Sequence, residues 1–207
     1  MENEPKLIKH AFVEISEIPR IYIDPYEVPG SLLYADYIFI THPHYDHLSV
    51  KDIEKLLKNS TKIIAPEDAR SLLSNFKNVT FVEPEKKYII DNLEIYTMPA
   101  YNINKNFHPK NKKWVGYIIK YKNKTFYHPG DTDFIPEMKT LNKLNIDYAF
   151  FPVGGTYTMD YKEAAEAANI IKAKISIPMH YGLIVGKKTD AEEFKQLVKN
   201  SIVKILL

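Results

Sequence analysis

The sequence contains no cysteine. Disulfide frameworks and thiolate metal sites are therefore excluded, so any bound metal must take nitrogen and oxygen ligands. Arginine is almost as scarce, because Arg20 and Arg70 are the only two arginines in 207 residues. Without the residue best suited to gripping phosphate, a nucleic-acid-binding surface would depend on lysine, and we do not expect nucleic acid as a partner.

Long apolar stretches are also missing. No segment approaches the run of about 20 apolar residues that spans a membrane. The N-terminal MENEPKLIKHAF is charged and lacks the apolar core of a signal peptide. We therefore expect a soluble cytoplasmic protein with no membrane partner.

The composition suits one folded domain. Hydrophobic residues make up 45% of the chain and aromatic residues 13%, which is ample for a buried core. Charged residues make up 26% but nearly cancel to a net charge of +2, so the surface is mixed in sign. No low-complexity linker or internal repeat interrupts the chain, and we predict a single domain over residues 1–207.

Strand-like and helix-like segments alternate in the first part of the chain. Apolar runs predict strands in IYIDPY and in YADYIFI, the second ending at Thr41. A helix is predicted from Ser49, which with Asp52 resembles a capping box, to about Leu57. TKIIAP and EDARSLLSNF repeat this order of a strand followed by a helix.

Strands dominate the middle of the chain. They are predicted in VTFVEP, YII, LEIYTMPAY, WVGYIIKY and TFYH, with a hairpin turn at Lys122-Asn123-Lys124 between the last two. A helix should follow Asp133, and further strands are predicted in YAFFPV, ISIPMH and VKILL.

Two more helices are predicted near the end. Asp160 can begin one of them, because its carboxylate and that of Glu163 have the spacing of a capping box. Thr189 should begin the last helix. The buried face of that helix should consist of Ala191, Phe194 and Leu197. The pattern as a whole predicts two strand-rich halves with outer helices.

Metal-capable side chains are concentrated in THPHYDHLS, directly after a predicted strand. The group consists of His42, His44, Asp46 and His47, and no regular helix face presents all of them. A loop can fold them around two neighbouring points, with His42 and His44 at one metal and Asp46 and His47 at a second. The alternative is a surface loop with solvated histidines, and the H-x-H-x-D-H spacing favours the metal site.

The other candidate ligands also lie where predicted strands end. Asp131 follows TFYH, with Gly130 allowing a close approach of the backbone, and His180 ends ISIPMH. His108 lies in the polar loop NKNFHPK, from which a third ligand of the first metal would have to come. Each alone is better explained as a structural residue, but together with the cluster they favour a metal centre.

Two histidines fall outside that set. His128 precedes Asp131 by three positions, and we expect it to orient a ligand or to donate a proton. His10 has no recognisable partner, so a half-buried strand position and a role in the site are equally compatible with the sequence.

Several stretches of the sequence resemble metallo-β-lactamase-fold hydrolases: THPHYDHLS, FHPKNKKWVGYII, YHPGDTDFIPEM, PVGGTYTMD and IPMHYG. The resemblance is to the small group of metal-dependent hydrolases similar to ascorbate-lactonase-like proteins. It implies an α/β (α+β) fold, a four-layer αββα sandwich with two mixed β-sheets face to face and outer helices. It also implies that Asp131 bridges two metal ions. The remaining ligands would be His42, His44 and His108 for the first ion and Asp46, His47 and His180 for the second.

The expected activity is metal-dependent hydrolysis. Two divalent ions about 3.5–4 Å apart would activate a shared water to hydroxide near neutral pH. Zinc is favoured, and manganese, iron, cobalt and nickel also accept nitrogen and oxygen ligands. Asp46 and His128 are the candidate catalytic residues, because either could move a proton to the leaving group.

Lysines around His108 point to the substrate. They are Lys105, Lys110, Lys112 and Lys113. Their charge favours a small anionic ester-type substrate, namely a phosphodiester, a cyclic phosphate or a lactone. Two alternatives remain open at this point: a nuclease that cleaves RNA or DNA with the same site, and a non-hydrolytic di-iron protein.

Overall fold

The computed structural model describes residues 4–17 and 19–207. In that part of the chain, a first mixed sheet has the strand order β1-β2-β3-β4-β5-β6. Its strands are β1 Lys6–Lys9, β2 Phe12–Glu17, β3 Arg20–Ile23, β4 Tyr37–Phe39, β5 Lys62–Pro66 and β6 Val79–Val82. Strands β1 to β3 pair antiparallel, and strands β3 to β6 pair parallel.

A second mixed sheet has the order β13-β12-β11-β10-β9-β8-β7. Its strands are β7 Lys87–Ile90, β8 Leu93–Pro99, β9 Val115–Tyr121, β10 Lys124–His128, β11 Tyr148–Pro152, β12 Ile175–Met179 and β13 Ile202–Val203. Strands β7 to β10 pair antiparallel, and strands β10 to β13 pair parallel. The carboxyl ends of β10, β11 and β12 therefore lie at one edge of this sheet.

Three α-helices accompany the sheets in the described residues. They are α1 Val50–Leu56, α2 Tyr161–Ile171 and α3 Lys188–Leu197. Short 3-10 helices cover Glu67–Ala69, Lys110–Lys112 and Pro136–Lys143. No helix among these residues combines the length and the apolar character needed to cross a membrane.

The core has three layers of buried side chains, because neighbouring strand residues point to opposite faces. Phe39 of β4 and Phe150 of β11 lie in the layer between the two sheets. Their neighbours Ile38 and Phe151 face outward, Ile38 into the layer that contains α1 and Phe151 into the layer that contains α2 and α3. The predicted four-layer αββα sandwich is confirmed.

Helix α2 begins as predicted. The Asp160 carboxylate accepts hydrogen bonds from the backbone amides of Lys162 and Glu163 at 2.8 and 2.9 Å, and the Glu163 carboxylate accepts from the Asp160 amide at 3.2 Å. The buried residues of α2 are small except for the last one. They are Ala164, Ala165, Ala167, Ala168 and Ile171.

The helix predicted in EDARSLLSNF is wrong. Only Glu67–Ala69 is helical, as a single 3-10 turn, and turns follow it. Leu73 is buried but its neighbour Leu72 is 46% exposed, because two adjacent residues cannot share one helical face. The segment therefore buries too few apolar side chains to support an α-helix.

The predicted capping box of α1 is also wrong, although the helix itself is present. Ser49 makes no side-chain cap to the helix amides. Asp52 accepts hydrogen bonds from the backbone amides of Glu27 and Val28 at 2.9 and 3.1 Å and from the Ser49 hydroxyl at 2.7 Å. The buried carboxylate thus ties α1 to a neighbouring loop, which the local spacing does not reveal.

Four predictions in the second half of the chain need adjustment. The helix after Asp133 is the 3-10 helix Pro136–Lys143, and VKILL contributes only its first residue to β13. Helix α3 begins at Lys188, one residue before the predicted start. Leu197 is 40% exposed and not part of the buried face, because it lies at the frayed end of α3.

Candidate metal centre

The predicted ligands converge where the ends of the two sheets face each other. The loop that follows β4 carries four of them, the loop between β8 and β9 carries His108, and Asp131 and His180 follow β10 and β12. The parallel pairing of β10, β11 and β12 places the residues that follow β10 and β12 at the same edge. Six of the seven side chains are buried, and His44 is partly buried.

His42, His44 and His108 form the first half-site. Each offers one ring nitrogen, and these nitrogens lie within 4.8 Å of one another. His42 Nε2 and His44 Nδ1 are 3.1 Å apart. Two donors at about 2.1 Å from one tetrahedral ion lie about 3.4 Å apart, so this spacing fits two ligands of one ion.

Asp46, His47 and His180 form the second half-site. Asp46 Oδ2 lies 3.6 Å from His47 Nε2 and 3.8 Å from His180 Nε2. One donor atom from each of these residues lies within 4.8 Å of the others, and His10 joins the same group. This spacing again matches ligands that share one ion.

The Asp131 carboxylate lies between the two half-sites. Its Oδ2 is 3.3 Å from His108 Nε2 in the first half-site and 3.1 Å from His180 Nε2 in the second. Its Oδ1 is 3.3 Å from His47 Nε2. One side chain thus lies close to candidate ligand atoms of both half-sites.

Hydrogen bonds on the far side of the rings set the ring orientations. His47 Nδ1 donates to Asp24 Oδ2 at 2.8 Å, and the same oxygen accepts from the Thr41 hydroxyl at 2.6 Å. His108 Nδ1 lies 3.1 Å from Asn102 Oδ1. These contacts place the proton on Nδ1 and leave the Nε2 lone pair of each ring directed into the site.

Several atoms at the centre are buried without a hydrogen-bond partner. They are His47 Nε2, His108 Nε2, His180 Nε2 and Asp131 Oδ1. Buried polar atoms in proteins are nearly always bonded, so a group of such atoms aimed at one point needs a shared partner. Imidazole nitrogens and a carboxylate oxygen are suitable donors for a divalent transition-metal ion. The residues present therefore fit metal binding.

Electrostatics prepare the site for cations. Burial alone would raise the pKa of Asp131, but the charges of His180 and His47 hold that pKa well below its usual value. Burial lowers the pKa of His42 well below its usual value. Asp131 is therefore anionic and His42 neutral, the forms that bind metal. Although burial opposes it, Asp131 and Asp24 raise the pKa of His47, so metal binding there displaces a proton.

His10 is a site residue that sequence reasoning left open. It lies in the turn between β1 and β2, is 1% exposed and has a positive φ of 53°. Its Nε2 is 3.2 Å from Asp46 Oδ2, and its ring lies on that of His180 with centroids 3.9 Å apart. Its carbonyl accepts from the His180 amide at 2.9 Å. A left-handed backbone at a non-glycine residue costs energy and is typical of functional sites.

The protonation of His10 gives a pH test on metal-free protein. Burial lowers the pKa of His10 from 6.5 to about 4. Between these values the unfolded chain binds the proton and the folded chain does not, so stability falls as the pH is lowered from 6.5 to 4. We expect His10→Gln to remove up to about 3 kcal/mol of this loss. Urea unfolding of both proteins in chelator at several pH values measures the free energy of unfolding. If that free energy changes with pH in parallel for wild type and variant, the prediction is contradicted.

Sequence reasoning did not identify Asp24 as a residue of the site, although its position at a strand end is a signal. It follows β3 directly, so the strand-end argument that found Asp131 and His180 applies to it as well. Besides His47, it accepts the Thr41 amide at 2.8 Å. For His10 the sequence offers no comparable signal, because its partners lie far away along the chain.

His128 lies behind the site. Its Nε2 donates to the Ala11 carbonyl at 3.0 Å, and its Nδ1 accepts from the Gly130 amide at 3.2 Å. Gly130 has a φ of +66°, and a Cβ there would lie 2.9 Å from the Thr41 side chain. The ring and the glycine together fix the backbone that carries Asp131. This position fits the orienting role expected for His128, which does not line the cavity.

A cavity of about 260 Å³ opens onto both half-sites. Its lining consists of His44, Tyr45, Asp46, Phe107, His108, Asp131, Tyr157, His180 and Ile184. The four lysines near His108 are engaged elsewhere. Their Nζ atoms contact carboxylates as follows: Lys105 with Asp133, Lys110 with Glu137, Lys112 with Asp68 and Lys113 with Glu83. The loop charge is therefore compensated locally.

Two face-to-face mixed sheets with a His/Asp cluster at their shared edge define the metallo-β-lactamase class of metal-dependent enzymes. The chain belongs to the family described as Beta-lactamase superfamily domain, which matches residues 10–180. The match begins at His10 and ends at His180, the two histidines whose rings are in contact.

Relatives agree with this assignment. The chain is 34% identical over 216 residues to a UPF0173 metal-dependent hydrolase from Thermococcus onnurineus, covering 98% of this chain and 95% of the relative. A candidate metal-dependent hydrolase from Parabacteroides distasonis has a crystal structure similar to ours, with a TM-score of 0.86 and 34% identity over 96% of this chain and 90% of that one. The protein is thus a metal-dependent hydrolase of the metallo-β-lactamase superfamily.

The fold also occurs in a protein with different chemistry. CmlA from Streptomyces venezuelae, a diiron β-hydroxylase, superimposes with a TM-score of 0.75 at 13% identity, covering 99% of this chain and 53% of CmlA. At this identity the likeness shows the fold alone.

Proposed function

We propose that the protein hydrolyses an ester-type bond of a small substrate with two divalent metal ions. The observation that carries this proposal is the Asp131 carboxylate, whose oxygens lie 3.1–3.3 Å from ligand atoms of both half-sites. The first half-site would hold one ion and the second half-site the other. Zinc suits the mixed imidazole and carboxylate donors best, and manganese, iron, cobalt and nickel are the alternatives.

The protein's own side chains set the protonation state of the candidate ligands. Two divalent ions held by these residues would supply hydroxide near neutral pH and would stabilise negative charge that develops at the attacked centre. Burial alone would raise the pKa of the Asp46 carboxyl, but the hydrogen bond from His10 and the nearby ring of His180 lower that pKa far below its usual value. Asp46 therefore stays anionic beside the cavity, which suits a metal ligand better than a proton donor at neutral pH.

The function is tested by elemental analysis coupled to an activity panel. Purified protein is assayed for bound metals and for turnover of esters, lactones and phosphodiesters, before and after chelation and with the metals added back. We expect two ions per chain and turnover that disappears with the ions and returns with them. Turnover that survives complete chelation would exclude the proposal.

The di-iron alternative is supported by the donor set, because iron accepts imidazole and carboxylate ligands. The same elemental analysis separates the two. Two iron atoms per chain, a coloured protein and no hydrolysis on the panel would favour it over the hydrolase proposal.

His108 tests the division into half-sites. We expect His108→Ala to lose one of the two ions and to keep the fold, because the second half-site has its own ligands. Asn106→Ala in the same loop is the control and should keep both ions. Trp114, the only tryptophan, has its ring centroid 4.8–5.5 Å from those of His42, His44 and His108, so its emission should respond to metal at the first half-site. An unchanged metal ratio in His108→Ala would show that His108 is not a ligand of either ion.

A further inference from the structure

The wall of the cavity above the half-sites is aromatic and aliphatic. Phe107 and Tyr157 meet edge to face, with ring centroids 4.7 Å apart and planes at 90°. Tyr45 also lines the cavity, is 65% exposed, and has its ring centroid 6.1 Å from that of Tyr26. Ile184 completes the wall. Apolar and aromatic surfaces of this kind bind flat apolar groups.

The cavity wall contains few groups that could bind an anion. Within residues 4–17 and 19–207, no lysine or arginine lines the cavity. Lys105, in the adjacent loop, points away, with Nζ 2.6 Å from Asp133 Oδ1 and 2.9 Å from the Thr158 carbonyl. A phosphodiester keeps a full negative charge and is usually recognised by cationic side chains or free helix amides.

The nearby helix N-terminus is already occupied. The Asp160 carboxylate accepts from the first amides of α2, at Lys162 and Glu163, so these amides are not free to bind phosphate. The described residues beside the metal ligands therefore offer an anion no cationic side chain and no free amide of α2.

The cavity also limits the size of the substrate. Its volume of about 260 Å³ lies below the range of about 300–1,000 Å³ that holds drug-sized ligands. One ring with a short side chain fits this space better than a dinucleotide or a polymer segment.

We infer that the substrate is a small neutral carboxylic ester, open or cyclic, with one flat apolar group that lies between Tyr45 and the Phe107–Tyr157 pair. In the reaction, water adds to the carbonyl carbon, the bond from that carbon to the ester oxygen breaks, and the departing oxygen takes the proton. An open ester gives one carboxylic acid and one alcohol, and a cyclic ester gives one hydroxy acid, with one water consumed in each case. This inference rests on the proposed hydrolase function. It assigns a neutral substrate, whereas the lysine-rich loop alone would favour an anionic one.

The test compares methyl phenylacetate with methyl acetate, which share a leaving group and differ in the ring, and with methyl phenyl phosphate, which keeps a ring but is anionic. We expect kcat/KM for methyl phenylacetate to exceed that for methyl acetate by at least about tenfold. Methyl phenyl phosphate should not compete with methyl phenylacetate at equal concentration.

Variants of the wall decide whether the ring binds there. Tyr157→Leu and Phe107→Leu should each raise the KM for methyl phenylacetate by about tenfold and leave the KM for methyl acetate unchanged. Both variants should retain both metal ions. Tyr34→Leu is the matched control, because Tyr34 is 63% exposed outside the cavity. Equal KM values for all three variants, or strong competition by methyl phenyl phosphate, would overturn the inference while the hydrolase function stands. No metal-dependent turnover of any ester or phosphodiester would instead remove the proposed function and this inference with it.

Discussion

Asp131→Asn will leave the protein with less than one bound ion per chain and will lower metal-dependent turnover by more than about a thousandfold. The substitution keeps the size of the side chain but removes its negative charge. Asp131 lies within 3.3 Å of ligand nitrogens from both half-sites, so its loss affects both ions together. No other predicted ligand has this position.

Elemental analysis and the activity panel measure this effect. Asp91→Asn makes the same chemical change at a carboxylate that is 47% exposed after β7, and it should keep both ions and full activity. Circular dichroism should show that both variants are folded. Two retained ions and normal turnover in Asp131→Asn would contradict the bridging role on which the proposed function depends.

Asp24→Asn should selectively weaken the second half-site. The Thr41 amide donates to Asp24 Oδ1, so an asparagine must keep its oxygen there and place its NH₂ group where Oδ2 now accepts from His47 Nδ1. The NH₂ group favours the His47 tautomer with the proton on Nε2, the atom that faces the site. We expect the affinity for the second ion to fall by about 10–100-fold or more.

Metal titration of the chelated protein measures this change. The first ion should still bind and change the Trp114 emission, because the first half-site does not depend on the His47 tautomer. Asp36→Asn, at a partly exposed carboxylate before β4, is the control and should bind both ions normally. Equal affinity of both ions in Asp24→Asn and wild type would show that the orientation of His47 does not depend on this carboxylate.

The sequence predicted most of the candidate site because its ligands follow a simple rule. His42, His44, Asp46 and His47 are close along the chain, and Asp131 follows a strand whose apolar pattern is clear. Parallel strands bring such positions to one edge of a sheet, so adjacency to a strand end predicts adjacency in space. The same rule would have found Asp24.

Other parts could not be predicted from local patterns. His10 reaches Asp46 and His180 only because the turn between β1 and β2 lies against the end of β12, and no spacing in the sequence encodes that contact. The lysines near His108 predict a positive surface. The carboxylates that compensate their charge lie in loops distant in sequence, so this pairing depends on tertiary packing. The EDARSLLSNF segment fails as a helix because helix stability comes from tertiary burial, which Leu72 does not provide.

The sequence by itself determined the donor types, most of the strands, the three α-helices and the edge at which the ligands gather. These follow from short-range properties: the absence of thiols, the period of apolar residues and the position of polar residues at strand ends. The tertiary structure decided that Asp131 lies between two half-sites, that His10 supports the second half-site and that the cavity wall is apolar. Those features depend on which surfaces pack together when the two sheets close on each other, and packing is a property of the whole chain.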